Sequence, residues 1–313
     1  MIKEQLYFKA KSIEEAIIEA NNHIANFRYI AGGTDVLVNK FQGNENSKML
    51  IDLSGIDSLK QITIKGNQVE IGALIILDEL KNHKIIAESF PALFEAAHAV
   101  ASPMIRKTAT IGGNLLCENR CTFYNQTEWW RKAAGYCLKC DGDICIATGG
   151  KNNCLSKFIS DTAVVLISMN ASIEIFDNNQ TSIIPLESIY TGDGVNPRNL
   201  SNSAIIKSIF ISNDEGFTSV YKKLRQRETL EFGSLITAVT KSKNGKIKIV
   251  LGGVDPKPIV VEGIANDDLN ELIIIASKKA RTVDNDMYSR KYRKEMISVY
   301  LKRSFQELGL ILP

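Results

Sequence analysis

The chain has 313 residues, 44% hydrophobic and 23% charged, the balance of a soluble globular protein with room for two or three packed units. A net charge of +3 provides no basic field for nucleic acid. The longest apolar stretches, such as Ala163-Val164-Val165-Leu166-Ile167, fall well short of the ~18 residues of a membrane span, so neither nucleic acid nor membrane is expected as a partner.

The opening Met1-Ile2-Lys3-Glu4-Gln5-Leu6 carries no apolar signal region, which points to a cytoplasmic, reducing setting. The predicted elements then begin strand, helix, strand. Ser12 and Glu15 form a capping box, and Ile13, Ile17, Ala20 and Ile24 recur on one helical face. Residues 27–31 make a short apolar strand running into Gly32-Gly33-Thr34-Asp35, with a helix over 36–41. Successive glycines can turn backbone N–H groups toward an anion, a helix start adds its dipole, and the Thr34 hydroxyl can reach a phosphate oxygen. Asp35, being acidic, suits capping the loop or holding a neutral hydroxyl. A plain strand-to-helix turn accounts for the same residues.

A strand is predicted over 48–53. Ile62 and Ile64, then Val69 and Ile71, alternate with polar residues around Lys65-Gly66-Asn67, a hairpin. Asp78 is expected to cap a short helix, and residues 90–100 form another, packed through Leu93, Ala96 and Ala97 and stopped by Ser102-Pro103. Thr110-Ile111-Gly112-Gly113-Asn114 follows. Because Asn tolerates the left-handed region, Gly112-Gly113-Asn114 is expected to fold as a second tight nest. Two such turns can grip the two phosphates of a dinucleotide from opposite sides, although neither has the Gly-x-Gly-x-x-Gly form of the doubly wound fold.

All six cysteines, Cys117, Cys121, Cys137, Cys140, Cys145 and Cys154, and both tryptophans, Trp129 and Trp130, lie in the next interval. Only Cys137 and Cys140 form a Cys-x-x-Cys, so the spacing is neither that of a zinc ribbon nor that of a ferredoxin run. An iron–sulfur cluster in an irregular loop suits wide spacing, with Phe123, Tyr124, Trp129, Trp130 and Tyr136 available to cover the sulfurs. Zinc, disulfides and loose buried thiols remain open on the spacing alone.

Ser160-Asp161 precedes a helix over 162–169. Ile173 and Ile175 belong to a strand, Asn178-Asn179 turns it, and Ile183 and Ile184 return. Strands over 205–211 and 218–224 follow, the second entering the run Lys222-Lys223-Leu224-Arg225-Gln226-Arg227, expected as a solvated face. Asn244-Gly245 closes a hairpin between Val239-Thr240 and Ile247, Ile249 and Leu251. Helices over 267–280 and 287–308 end the chain, with Tyr292, Met296, Val299 and Tyr300 on one face of the last. His23, His83 and His98 are scattered and read as surface or core residues, not ligands.

Ala31-Gly32-Gly33-Thr34-Asp35, Ala101-Ser102-Pro103-Met104-Ile105-Arg106 and Thr110-Ile111-Gly112-Gly113-Asn114, at these distances, resemble the FAD subunit of the molybdenum hydroxylases, the xanthine dehydrogenase and carbon monoxide dehydrogenase family. The likeness runs along nearly the whole chain. It implies an α+β fold: a two-subdomain PCMH-type FAD-binding domain over 1–214 (subdomains 1–58 and 59–214, with a cysteine-rich insert over 116–156) and a C-terminal α+β domain over 215–313, like that of the CO dehydrogenase flavoproteins. It implies FAD contacts from Tyr29, Ile30, Ala31, Gly32, Gly33, Thr34, Asp35 and Val36, and from Thr110, Ile111, Gly112, Gly113 and Asn114. Asp161 matches an acid that hydrogen-bonds the cofactor, Val100 and Ile206 apolar neighbours, and Lys223 a polar one. Glu231 stands where an Asp is expected.

The segments from Cys121 to Lys132 and from Tyr136 to Lys139 look like one branch, the beta subunit of 4-hydroxybenzoyl-CoA reductase, whose insert holds a [4Fe-4S] cluster. Matching by position implies Cys121, Cys137, Cys145 and Cys154 as ligands and leaves Cys117 and Cys140 surplus. The function implied is an electron-transfer oxidoreductase subunit with no catalytic acid or base of its own. Its partners would be a [2Fe-2S] subunit and a molybdopterin-containing catalytic subunit in a heterotrimer, with a ferredoxin-type carrier. A stand-alone FAD oxidoreductase and a zinc-stapled interaction protein are the alternatives.

Overall fold

The computed structural model describes residues 5–177, 180–212 and 216–312; the expected turn at Asn178-Asn179 and the expected boundary at 214/215 lie outside them. The first sheet is parallel, with β1 (Leu6–Lys9), β2 (Phe27–Ile30) and β3 (Met49–Asp52) in the order β1-β3-β2. Helices α1 (Ile13–Asn22) and α2 (Val36–Phe41) form the crossovers. The central strand β3 is buried at every residue, as a parallel strand covered on both faces should be. Only half of the expected capping box forms. Ser12 accepts the Glu15 N–H at 3.2 Å, but the Glu15 carboxylate takes the N–H of Lys11. The buried face of α1 is Ile13, Ala16 and Ala20; the helix ends at Asn22, and Ile24 beyond it is exposed.

The second sheet is antiparallel, built from β4 (Ile62–Lys65), β5 (Gln68–Gly72), β6 (Ser172–Asp177), β7 (Gln180–Pro185) and β8 (Ile205–Ser212) in the order β4-β5-β8-β6-β7. Between β5 and β6 the chain runs through α3 (Leu77–Asn82), α4 (Lys84–Ser89), α5 (Pro91–Ala99), α6 (Pro103–Arg106), α7 (Ile111–Leu115), α8 (Glu128–Ala134) and α9 (Asp161–Ser168). Alternate sheet residues Val69, Ile71, Ile173, Ile209 and Ile211 share one core with Leu93 and Ala96 of α5 and Val164 and Ile167 of α9. Asp78 does not cap α3, which starts at Leu77; it pairs with Lys81 inside the first turns. Ser102 caps α6, three residues after the end of α5.

The third sheet, β9 (Thr218–Leu224), β10 (Leu235–Lys241), β11 (Lys246–Gly252) and β12 (Ile259–Ile264), is an antiparallel meander in the order β12-β11-β10-β9. Its side chains alternate between two cores. Tyr221, Ile236, Ala238 and Val250 join the core that contains α9. Val220, Leu235, Val239, Ile249 and Leu251 pack with α10 (Leu269–Lys279) and α11 (Arg290–Glu307). Every residue of α9 is buried as a result. The face of α11 that enters the core is Arg293, Ile297, Leu301, Ser304 and Phe305; of the row expected on one face, Met296 and Tyr300 pack against that core half-buried. Among the described residues no helix is long and apolar enough to cross a membrane.

Candidate functional site

Two glycine segments meet at the boundary of the first two sheets. Gly33 turns the chain out of β2 with φ +71°. A Cβ on Gly32 would lie 1.9 Å from the Thr108 carbonyl oxygen, so the first segment presses its backbone against the second, two residues before Thr110. Among the described residues, the N–H groups of Gly32, Gly33, Thr34, Asp35 and Val36 have no protein acceptor. Backbone donors left together at a strand-to-helix turn form the cradle an anion fills.

The second segment is not the nest expected. Ile111–Leu115 is one helical turn, capped by Thr110 through the Gly113 N–H at 3.1 Å, and none of Gly112, Gly113 and Asn114 has positive φ. The cause lies beneath it. The N–H groups of Ile111 and Gly112 each bond at 2.8 Å to the Ile75 and Ala73 carbonyls, and a Cβ on Gly112 would stand 2.8 Å from that Ala73 oxygen. Gly113 is different: it is exposed, and a Cβ there would meet only Thr110 Oγ1. Asn114 faces inward, its Oδ1 accepting from Ser160 Oγ at 2.9 Å and Thr162 Oγ1 at 2.6 Å, which fixes the start of α9. The open backbone at Gly113 and the unbonded donors of 32–36 fit a phosphate-bearing cofactor.

Asp161, Lys223 and Val100 are brought together. Asp161 accepts from Tyr221 Oη at 2.6 Å and Lys223 Nζ at 2.9 Å, and Lys223 also donates to the Ala99 carbonyl at 3.0 Å. Arg106 holds the Val100 carbonyl at 2.7 Å. Lys223 is 3% exposed, so the charged run is not a solvated face along its length: the alternation of β9 turns this lysine into the protein. Ile206 is buried on β8 and shares a core with Ala73 and Ile111. Tyr29 donates to the Ser203 carbonyl at 3.4 Å, and burial, helped by the Asp177 charge, pushes its pKa up to about 12. Glu231 pairs with Arg227 instead of joining Asp161. Its loop reaches Val100 through the bond from Leu230 N–H to the Ala101 carbonyl, with both Leu230 and Ala101 at positive φ.

Cys121, Cys137, Cys145 and Cys154 line one gap of about 280 Å³ of atom-free space, part of it open to solvent, with Phe123, Tyr124, Leu138, Lys139, Ile146 and Ser156. Cys117 and Cys140 are not among its walls, and all six thiols are free. Of the aromatic cover expected, Phe123 and Tyr124 contribute; Trp129 is largely exposed, and the Tyr136 hydroxyl bonds outward to Glu128. Among the described residues no three His, Cys, Asp or Glu side chains are set to hold a single metal ion. Burial pushes Cys121 up to about 11, whereas a hydrogen bond from the Cys140 thiol brings Cys137 down to about 6. A cation stands at the wall: Lys139 is 4% exposed, pairs with Glu118 and lies 5.1 Å from the Tyr124 ring centroid. Burial would raise the Glu118 carboxyl, but the charges of Lys139 and Arg198 override it and hold it at about 2.

Asp35 ties this segment to the first glycine loop. Its Oδ2 accepts the Glu118 N–H at 3.1 Å, and its Oδ1 is paired with Arg120. Neither Arg120 nor Glu118 stood out in the sequence. A charge in a loop carries no periodicity, and their position beside cysteines was the one available signal.

These features define a class: a mixed α/β cofactor-carrying protein that is not of the doubly wound nucleotide type. Residues 2–213 match the family described as the FAD-binding domain in molybdopterin dehydrogenase, and the chain belongs to it. It is accordingly an FAD-binding component of an oxidoreductase of the molybdenum hydroxylase type. It is 27% identical over 270 residues to the aldehyde oxidoreductase FAD-binding subunit PaoB of Escherichia coli strain K12, covering 83% of this chain and 85% of that one. It is 24% identical over 261 residues to the xanthine dehydrogenase FAD-binding subunit of Escherichia coli O157:H7, covering 81% and 75%. Its fold is that of a chain of reconstituted CO dehydrogenase from Oligotropha carboxidovorans, with a TM-score of 0.77 at 20% identity over 98% of both chains.

Proposed function

We propose that this chain carries FAD and a [4Fe-4S] cluster and relays electrons within a molybdenum-containing hydroxylase or reductase. The observation that carries this reading is the joining of two seats by one carboxylate. The glycine cradle lies on one side of Asp35, and the segment leading to four cysteines around one gap lies on the other. Four thiols with no oxygen or imidazole donor among them are the soft set an iron–sulfur cluster takes. Zinc takes the same four thiols, and the content of iron and acid-labile sulfide separates the two.

In the stretch 29–36 the unbonded N–H groups of 32–36 would hold an FAD phosphate, while 110–114, whose N–H groups from Ile111 to Asn114 are taken by protein acceptors, would serve by close approach at Gly113. Asp161, Val100, Ile206 and Lys223 would lie near the remainder of the cofactor, and Glu231, paired with Arg227, is the weakest member of the set. FAD can hold two electrons and pass them one at a time, and a cluster carries one, so the two in one chain would join a one-electron soluble carrier, here a ferredoxin-type protein, to a one-electron centre on a partner. The chain's own residues bind, orient and shield. Lys139 and the buried aromatic Tyr124 keep the cysteine gap cationic and partly dry, which tunes potential.

The three sheets correspond in this reading to the two FAD subdomains, 1–58 and 59–214 with the insert over 116–156, and the C-terminal domain, 215–313. The relatives are subunits or chains of larger enzymes by name. The partners proposed are a [2Fe-2S] subunit and a molybdopterin subunit, which would supply substrate chemistry. The likeness of the cysteine segment to the 4-hydroxybenzoyl-CoA reductase branch makes an aromatic acyl-CoA the first substrate to try on the assembled enzyme.

Anaerobic purification tests the reading. One FAD to four irons and four sulfides is expected of this chain by itself, and more iron and sulfide per FAD where molybdenum and [2Fe-2S] chains copurify. Cys145→Ala should lose the iron while still taking up FAD supplied in excess. Stoichiometric zinc with no sulfide would overturn the cluster, and colourless protein would overturn the relay.

A further inference from the structure

We infer that Arg120 is a positioning residue that couples the two cofactor seats, so that filling one tightens the other. The inference rests on the FAD and cluster reading. Arg120 is 8% exposed and its guanidinium faces three separate parts of the chain. It pairs with Asp35 of the first glycine loop, donates to Asn39 Oδ1 of α2 at 3.3 Å, and stacks 5.0 Å from the ring centroid of Phe232, in the loop that carries Glu231. Its backbone is fixed independently. The N–H and carbonyl of Arg120 exchange hydrogen bonds with Lys157 at 3.0 and 2.8 Å, and Lys157 Nζ is paired with buried Asp286 at the approach to α11.

Cys121 is the next residue, and Cys154 lies three before Lys157. The short bridge between Arg120 and Lys157 therefore sets two of the four cysteines that line the gap. The same Asp35 carboxylate also takes the Glu118 N–H. The Asp35 main chain is part of the run of unbonded donors, and its carbonyl accepts from both Asn39 N–H and Asn39 Nδ2 at 3.0 Å. One rigid path thus runs from the phosphate cradle through Asp35 and Arg120 to Cys121. A bidentate, planar cation transmits geometry along such a path; a flexible ammonium holds one point only. Coupling of this kind is reciprocal: whatever the cluster does for FAD affinity, FAD must do for cluster retention.

The test is a two-by-two set in the full-length chain: wild type, Cys145→Ala, Arg120→Gln and the double variant. Iron content and the FAD dissociation constant by fluorescence quenching are measured on each, with near-UV circular dichroism as the check on folding. In the wild-type background, loss of iron through Cys145→Ala should weaken FAD binding by about 5-fold or more, the lower end of ordinary coupling. In the Arg120→Gln background the same loss should change it less than about 2-fold. An equal ratio in both backgrounds, or no effect of Cys145→Ala in either, overturns the coupling. Should Arg120→Gln fail to fold, Arg120→Lys keeps the charge beside Asp35 and is expected to give an intermediate ratio; a full wild-type ratio there would show that charge alone acts and that the positioning role is wrong. Wild-type protein without iron defeats the cluster reading instead, and iron analysis identifies that failure separately.

Discussion

Gly32 and Gly113 lack a side chain for different reasons, and that difference separates folding from binding. At Gly32 the space is taken by protein: a Cβ would sit 1.9 Å from the Thr108 carbonyl, which is backbone and cannot swing away. Gly32→Ala must push the two glycine segments apart, at a cost of about 1–3 kcal/mol typical of overpacking, readable in a urea melt of the flavin-free protein. At Gly113 the space is open apart from the Thr110 hydroxyl. Gly113→Val should leave that melt within about 0.5 kcal/mol yet lose flavin, because the branched side chain fills the approach to the backbone. Full flavin stoichiometry in Gly113→Val would remove this segment from the site. At this scale the glycines were legible because a glycine pair after a strand has few structural meanings. Asp35 was half legible: its acidity suggested a capping role, but its partners, Glu118 and Arg120, lie more than eighty residues away, and no local pattern announces them.

Elements with strong local signals formed where expected. Gly66 and Gly245, each at positive φ, turn the two hairpins between alternating strands, and Ser160 caps α9 through the Ala163 N–H. Elements whose environment is set at long range were misjudged. Gly112-Gly113-Asn114 became a helical turn because Ile75 and Ala73 supply carbonyls to its first donors, and tertiary bonds of that kind override a loop propensity. On the last helix nothing in the pattern announced a buried arginine. Arg293 occupies the core face, donating to the carbonyls of Gly253 and Val283 and to Asn285 Oδ1, and an apolar scan ranks it as surface. The buried and the half-exposed sides of α11 predict different melts. Ile297→Ala should destabilise by about 2–5 kcal/mol, because it empties a fully buried position. Val299→Ala, at a 36% exposed position, should stay within about 0.5 kcal/mol. Denaturant unfolding of the pair checks this; equal losses would mean that Ile297 is not on the core face.

On the scale of the whole molecule, the order of strands and helices could be read along the chain, but the way the sheets share a core could not. Adjacent apolar residues such as Leu235-Ile236 and Val250-Leu251 put apolar side chains on both faces of the sheet; they do not say that one face belongs to the C-terminal helices and the other to α9. The helix itself gave a hint, since Ala163-Val164-Val165-Leu166-Ile167 has no polar side, and a helix apolar all round must be covered all round. The cover comes from two sheets. Tyr221 and Lys223 of the third sheet also supply both partners of the buried Asp161 carboxylate. A chain ended after residue 212 would leave α9 with one side bare and Asp161 without its cation. Breaking such a buried pair alone costs about 3–5 kcal/mol, comparable with the whole margin of a domain. Residues 1–212 alone are therefore expected to aggregate or bind a hydrophobic dye and to take up no FAD, although the glycine segments and every cysteine are present. The full chain should unfold in one transition that coincides by circular dichroism and flavin release. A soluble 1–212 fragment with a cooperative melt and bound flavin would show that the third sheet is an appendage and that α9 finds its cover elsewhere.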